Sequence, residues 1–288
     1  RMIRTRRVSA GVVLGSRSRS ASGLAAHWCA KWNSRCCGLT AAERTVMELT
    51  GRVALVTGAA RRIGRAIAIR LADEGMNIAV HWNTSARDAK RTVAECQQRG
   101  VRAVKIQGDL TDPGCVVAMM SKAATLGPVQ VLINNASRFI PNRLDEIDRE
   151  QLEQDHLIHV VSPALLCREF SRQLPCSAEG RIVQLLDWRA SIADPHHFSY
   201  GLAKAGMLHL MKLLAAELAP NTTVNAISPG SILPPNSLPD EDEEESLHKA
   251  TEEIEAMRQL TDALIYLVKE ADDTTGRVIP VAGGKTLS

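Results

Sequence analysis

Tyr200 and Lys204 stand four residues apart in Ser199-Tyr-Gly-Leu-Ala-Lys204. On a helix that spacing puts both side chains on one face. A lysine ammonium beside a phenol stabilises the phenolate and lowers its pKa. The phenol can then act as a general acid near neutral pH. Asp187 lies thirteen residues before Tyr200, directly after the apolar run Arg181–Leu186. A carboxylate there would repel the oxyanion formed from a ketone, whereas an acid beside the phenol suits proton delivery to a ring nitrogen. These three residues point to reduction of a C=N bond, with Asp187 expected to carry a proton near neutral pH.

A second group lies near the start of the core. Thr57-Gly58-Ala-Ala-Arg61-Arg62-Ile63-Gly64 joins an apolar run, Arg52–Thr57, to a stretch with helical spacing at Ile63, Ala66, Ile67, Ile69 and Leu71. Glycine permits a tight turn, and a helix N-terminus offers free N–H groups to a pyrophosphate. By itself the spacing fits a plain strand–helix turn equally well.

Short apolar runs alternate with helical patterns along the rest of the core. Strands are expected at Asn77–Trp82, Val101–Gln107, Val129–Ile133, Arg181–Leu186, Thr223–Ile227 and Arg277–Val281. Helices are expected at Ala86–Arg99, Pro113–Leu126, Asp148–Gln173, Ser199–Leu218 and Leu247–Val268. Ser231–Glu245, Pro-rich and then acidic, reads as a mobile surface loop. This alternation implies a doubly wound parallel α/β sheet of the Rossmann type in a single domain. Such sheets bind ligands beyond the carboxyl ends of their strands, where every motif above falls.

Composition narrows the class. Aromatic residues make up 3% of the chain, so a base-stacking nucleic-acid surface has little support. The longest apolar runs are too short to span a membrane. Seven scattered Cys without a Cys-x-x-Cys pair read as a reducing compartment, and no metal ligands are assigned. Residues 1–46 hold nine Lys and Arg against Glu43 alone, while 47–288 carry 26 basic and 31 acidic residues. The basic excess therefore belongs to the extension, which reads as an over-extended gene start before Met47, a transit peptide or a functional tail. The reductase domain is expected over 47–288. Its expected location is the cytoplasm, or the mitochondrion if the extension is a real transit peptide.

Taken together, Tyr200-x-x-x-Lys204, the Gly58–Gly64 loop and Asn134-Asn135-Ala136, in this order, resemble the short-chain dehydrogenase/reductase family from about Leu49 to Leu287. Most members carry a Ser where this chain has Asp187. The finer resemblance is to the pteridine and dihydromonapterin reductases. Arg62 replaces the middle Gly of the loop, Asn-Asn-Ala is followed by Ser137-Arg138-Phe139, Asp187 replaces Ser, and His159 replaces a helix Asn.

The resemblance implies an NADPH-dependent reductase of a 7,8-dihydropterin, such as dihydrobiopterin, dihydromonapterin or dihydrofolate. Asp187, Tyr200 and Lys204 would be catalytic. The cofactor would lie against Gly58, Arg61, Arg62, Ile63, Gly64, Trp82, Asn83, Thr84, Ser85, Asp109, Leu110, Asn135, Ala136, Tyr200, Lys204, Pro229 and Gly230. No acid stands at Trp82–Ser85 to repel a 2′-phosphate, which favours NADPH over NADH. The pterin would meet Arg62, Ser137, Phe139, Asp187 and Tyr200. Relatives are commonly homotetramers. A carbonyl reductase, for instance of 3-oxoacyl thioesters, and an inactive cofactor-binding sensor are the competing readings. Pro234-Pro235, the acidic run 240–245 and Val281-Ala282-Gly283-Gly284 depart from the family pattern.

Overall fold

Val53–Val56 forms strand β1 with all four residues buried, as expected of a strand covered on both faces. The computed structural model describes residues 46–230 and 243–281. The chain divides between Glu43 and Arg44 into two units, and the first lies outside the described residues. So do residues 231–242 and 282–288, which include Pro234-Pro235 and Gly283-Gly284.

After β1 come α1 (Arg62–Asp73), β2 (Asn77–Trp82), α2 (Ala86–Gln97), β3 (Ala103–Gln107), α3 (Cys115–Ala123) and β4 (Val129–Asn134). Then follow α4 (Arg149–His156), a π-turn (Leu157–Val161), α5 (Ser162–Gln173), β5 (Gly180–Leu185), α6 (Phe198–Leu218), β6 (Thr222–Pro229), α7 (Glu243–Ile265) and β7 (Val278–Val281). All seven strands are parallel, in the order β3-β2-β1-β4-β5-β6-β7. The direction of winding reverses between β1 and β4, the place where such sheets open a ligand crevice.

Alternate residues of the strands feed two cores. Ala54, Val56, Ile78, Val80, Val131 and Ile133 pack with Ile67 and Leu71 of α1 and Leu260 and Leu264 of α7. Val53, Leu55, Ala79 and Leu132 face the other side, with Met119, Phe170, Met207 and Met211 of α3, α5 and α6. Burying each large aliphatic side chain contributes about 1.5–3 kcal/mol. Met47 and Leu49 are buried in the first core, and Met47 N–H donates to Lys269 O at 2.8 Å.

Two elements differ from their expected form. The helix expected over Asp148–Gln173 is continuous but is widened by the π-turn, which side-chain periodicity does not register. The acidic residues Glu243–Glu245, expected in a loop, begin α7.

Candidate active site

The strand ends at the switch point are pressed together. Thr57 Oγ1 accepts from Asn135 N (2.9 Å) and Ala136 N (3.0 Å), and Asn135 Nδ2 donates to Thr57 O at 2.8 Å. A Cβ on Gly58, whose φ is +63°, would lie 2.9 Å from Ala136 Cα; one on Gly64 would lie 2.2 Å from Gly58 O. Only glycine fits either place. Arg62, between them, holds a φ of 52° at the start of α1. Arg61 and Arg62 are exposed, Ile63 is half-buried, and the first turn of α1 contains no acidic residue.

His81 ties three of these loops. Gly58 N–H donates to its Nδ1 at 3.1 Å, and its Nε2 contacts Gly108 O at 3.1 Å. A carbonyl can only accept, so Nε2 carries the proton and Nδ1 is the acceptor. Burial pushes the His81 pKa down to about 4, so the ring is neutral near pH 7. Next to it, Trp82 and Ser85 are half-buried, and Asn83, Thr84 and Asp109 are exposed at the ends of β2 and β3. Asp109 accepts from Thr111 N (2.9 Å) and Thr111 Oγ1 (2.8 Å), which hold its pKa below the ordinary value. Leu110 is buried, its carbonyl bound by Ser162 Oγ at 2.7 Å.

Tyr200 is 4% exposed in the first turn of α6, and Lys204, one turn later, is 2% exposed. Tyr200 Oη donates to Asp187 Oδ2 at 3.3 Å, long for an O–H···O bond but common in sites that tighten around substrate. Lys204 Nζ donates to Leu185 O at 2.7 Å and lies 5.5 Å from the Tyr200 ring centroid. Burial lowers the Lys204 pKa to about 8, against the opposing charge of Asp187. The expected lowering of the Tyr200 pKa by Lys204 is not found. It is raised instead, first by burial and then by the negative charge of Asp187.

Ser137 and His159 complete the inner wall. Ser137 Oγ lies 3.0 Å from His159 Nε2, and His159 Nδ1 lies 2.8 Å from Asp155 O. Burial holds the His159 pKa well below its ordinary value, helped by Lys204 and Arg138. A neutral ring that donates to the Asp155 carbonyl must accept from Ser137. Phe139, 51% exposed, presents its ring edgewise to Tyr200, centroids 4.8 Å apart, and stacks on His197 at 4.3 Å.

A sequence profile described as short chain dehydrogenase matches residues 52–246. The chain belongs to the short-chain dehydrogenase family. It is an oxidoreductase. It is 34% identical over 247 residues to the 3-oxoacyl-(acyl-carrier-protein) reductase FabG of Staphylococcus aureus, covering 83% of this chain and 99% of that one. An NADPH-dependent aldehyde reductase-like chloroplastic protein of Arabidopsis thaliana is 33% identical, over 65% of this chain and 74% of its own. Among solved structures, the FolM alternative dihydrofolate reductase 1 of Brucella canis, complexed with NADP, superposes with a TM-score of 0.74. It is 28% identical and covers 84% of this chain and 97% of its own.

Within this short-chain dehydrogenase, the residues singled out from sequence gather at the carboxyl ends of the strands. Pro229 and Gly230 close the row at β6, where Gly230 N donates to Val281 O at 2.9 Å. What the sequence did not reveal is the charged framework behind Asp187. Its Oδ1 accepts from Arg189 N (2.9 Å) and pairs with Arg189 Nη1 (3.2 Å). Asp187 thus accepts from Arg189 as well as from Tyr200 Oη. The ion pair at two-residue spacing was the available signal; the loop conformation that closes it was not.

Proposed function

We propose that this chain is an NADPH-dependent reductase of a 7,8-dihydropterin, acting on the C6=N5 bond. The observation that carries the reading is Asp187 bonded to Tyr200 Oη at the place where most relatives have a hydroxyl. A carboxylate disfavours an oxyanion but accepts readily from the N–H of a reduced ring. Phe139, exposed and edge-on to the phenol, offers a planar ring the apolar surface that its stacking partner His197 leaves uncovered. The likeness to a dihydrofolate reductase crystallised with NADP is consistent with both substrate and cofactor.

The residues present fit the dinucleotide. The Gly58–Gly64 turn, whose close packing on Asn135 and Ala136 excludes a Cβ, would present the N-terminal N–H groups of α1 to a pyrophosphate. Arg61, Thr84 and Ser85 would take a 2′-phosphate, with no acid at Trp82–Ser85 to repel it. Asp109 and Leu110 would border the adenine, and Asn135, Ala136, Pro229 and Gly230 the nicotinamide half. When bound, NADPH supplies hydride from nicotinamide C4. Tyr200 gives its phenolic proton to N5, Lys204 holds the ribose and stabilises the resulting phenolate, and Ser137 accepts from a pterin N–H. Arg62 and Phe139 orient the ring.

The test is NADPH oxidation by the full chain with dihydrobiopterin, dihydromonapterin, dihydrofolate and an acetoacetyl thioester in parallel. A dihydropterin should give the highest kcat/KM. NADPH should bind at least about tenfold more tightly than NADH, or about 1.4 kcal/mol. Preference for the thioester would instead support the carbonyl reductase reading, which the identity to FabG favours. Equal affinities for the two nucleotides would overturn the cofactor assignment.

A further inference from the structure

Arg189 is fixed on four sides. Its Nε lies 2.6 Å from Asp194 Oδ2 and its Nη1 3.2 Å from Asp187 Oδ1. The guanidinium carbon sits 4.2 Å from the Trp188 ring centroid and 5.1 Å from that of Phe139. Asp194 is itself held by His196 N (2.9 Å) and His197 Nδ1 (2.8 Å). The guanidinium is therefore anchored independently of Asp187, and offers Asp187 the remaining arm of its fork.

We propose that Arg189 is the positioning residue for proton transfer: by pairing with Asp187 it keeps that group an acceptor, so that Tyr200 is the proton source and Asp187 only aims its hydroxyl. The inference rests on the proposed function, in which Tyr200 serves as the donor. An arginine is charged at every accessible pH, and an adjacent cation favours a carboxylate over its acid. The groups that face Asp187 are few. Arg189 comes from its own turn, and Tyr200 and Lys204 come from α6. Asp194 acts through Arg189, and His159 and His197 flank the phenol ring with centroids at 5.3 and 6.5 Å. Beside the buried Lys204, which holds Leu185 O, Arg189 is the cation that touches Asp187 directly.

The two possible roles of Asp187 give opposite signs. If an ionised Asp187 aims the phenol, Arg189→Met moves the acid limb of the kcat–pH profile to higher pH by about one unit or more. Turnover at a pH on that limb then falls about tenfold, and Arg189→Lys restores it. If Asp187 itself gives the proton, Arg189→Met extends activity to higher pH, and the proposal is overturned. A purely structural role would lower kcat without moving the limb, which also overturns it.

A second measurement needs no turnover. The chain has two tyrosines, Tyr200 and Tyr266, so in a Tyr266→Phe background Tyr200 is the sole signal of ¹³Cζ-labelled tyrosine. Its chemical shift senses protonation of its Asp187 partner. The midpoint should rise in Arg189→Met and return in Arg189→Lys; an unchanged midpoint refutes the proposal. If Arg189→Met fails to fold, Arg189→Gln, which removes the charge but keeps a hydrogen-bonding arm of similar reach, is read in the same way. If the wild type reduces no substrate in the panel, the proposed function fails while this midpoint still decides the role of Arg189.

Discussion

Arg62 occupies left-handed backbone space, which costs a residue with a Cβ about 1–2 kcal/mol. Strain of this kind persists where the side chain is needed. Arg62→Gly should therefore raise the melting temperature of the cofactor-free protein, while NADPH or dihydropterin binds at least about tenfold more weakly. A variant that binds both ligands as wild type does would show the arginine to be incidental. Asp187 is proposed to select the chemistry, and its substitution tests that. Asp187→Ser restores a hydroxyl that can polarise a ketone, so dihydropterin turnover should fall by about 10²-fold and ketone reduction should rise in the same assay. Retained pterin activity would mean that Asp187 does not select the substrate.

Among the elements, the end of β2 has a measurable pH dependence. His81 stays neutral in the folded state, its pKa about 4, whereas an unfolded histidine takes up a proton near 6.5. Its contribution is thus fully present above pH 6.5 and is lost as pH falls toward 4, by about 3 kcal/mol. Protonation would also turn Nδ1 into a donor facing the Gly58 N–H, opening the cofactor loop. Urea unfolding between pH 7.5 and 4.5 should show a flatter pH slope for His81→Gln than for wild type; equal slopes would remove His81 from the account. β2 was legible from sequence because a buried parallel strand is a continuous apolar run, and its bounds, Asn77–Trp82, match expectation. The φ of Arg62, the π-turn and the Arg189–Asp194–His197 framework were not. Each depends on how loops close in space: Phe139 and His197 stack across 58 positions of sequence. The raised Tyr200 pKa escaped for the same reason, because burial outweighs a neighbouring lysine only once the packing is known.

On the scale of the molecule, the fold closes on itself through Met47 and Leu49, both buried against the core that holds α7. Met47 N–H binds Lys269 O, and Lys269 pairs with Glu74 at 3.0 Å, joining the start of the core to the π-turn Tyr266–Glu270 after α7 and to the C-terminal end of α1. A chain beginning at Met47 should unfold at the same urea concentration as the full one and bind NADPH equally well. Leu49→Ala should cost about 2–5 kcal/mol. Destabilisation on removing residues 1–46, or a silent Leu49→Ala, would contradict this boundary.

The π-turn carries a consequence for how such a site can change. An α-helix advances 3.6 residues per turn, so removing one residue from Leu157–Val161 would rotate α4 by about 100° relative to α5. Asp155 and Arg138, an ion pair at 3.9 Å, would part, and His159 would swing away from Ser137. A single codon deletion could thus dismantle the inner wall while leaving the identity of Asp187, Tyr200 and Lys204 intact. Chain length at this turn therefore holds the inner wall together as much as any residue in it does.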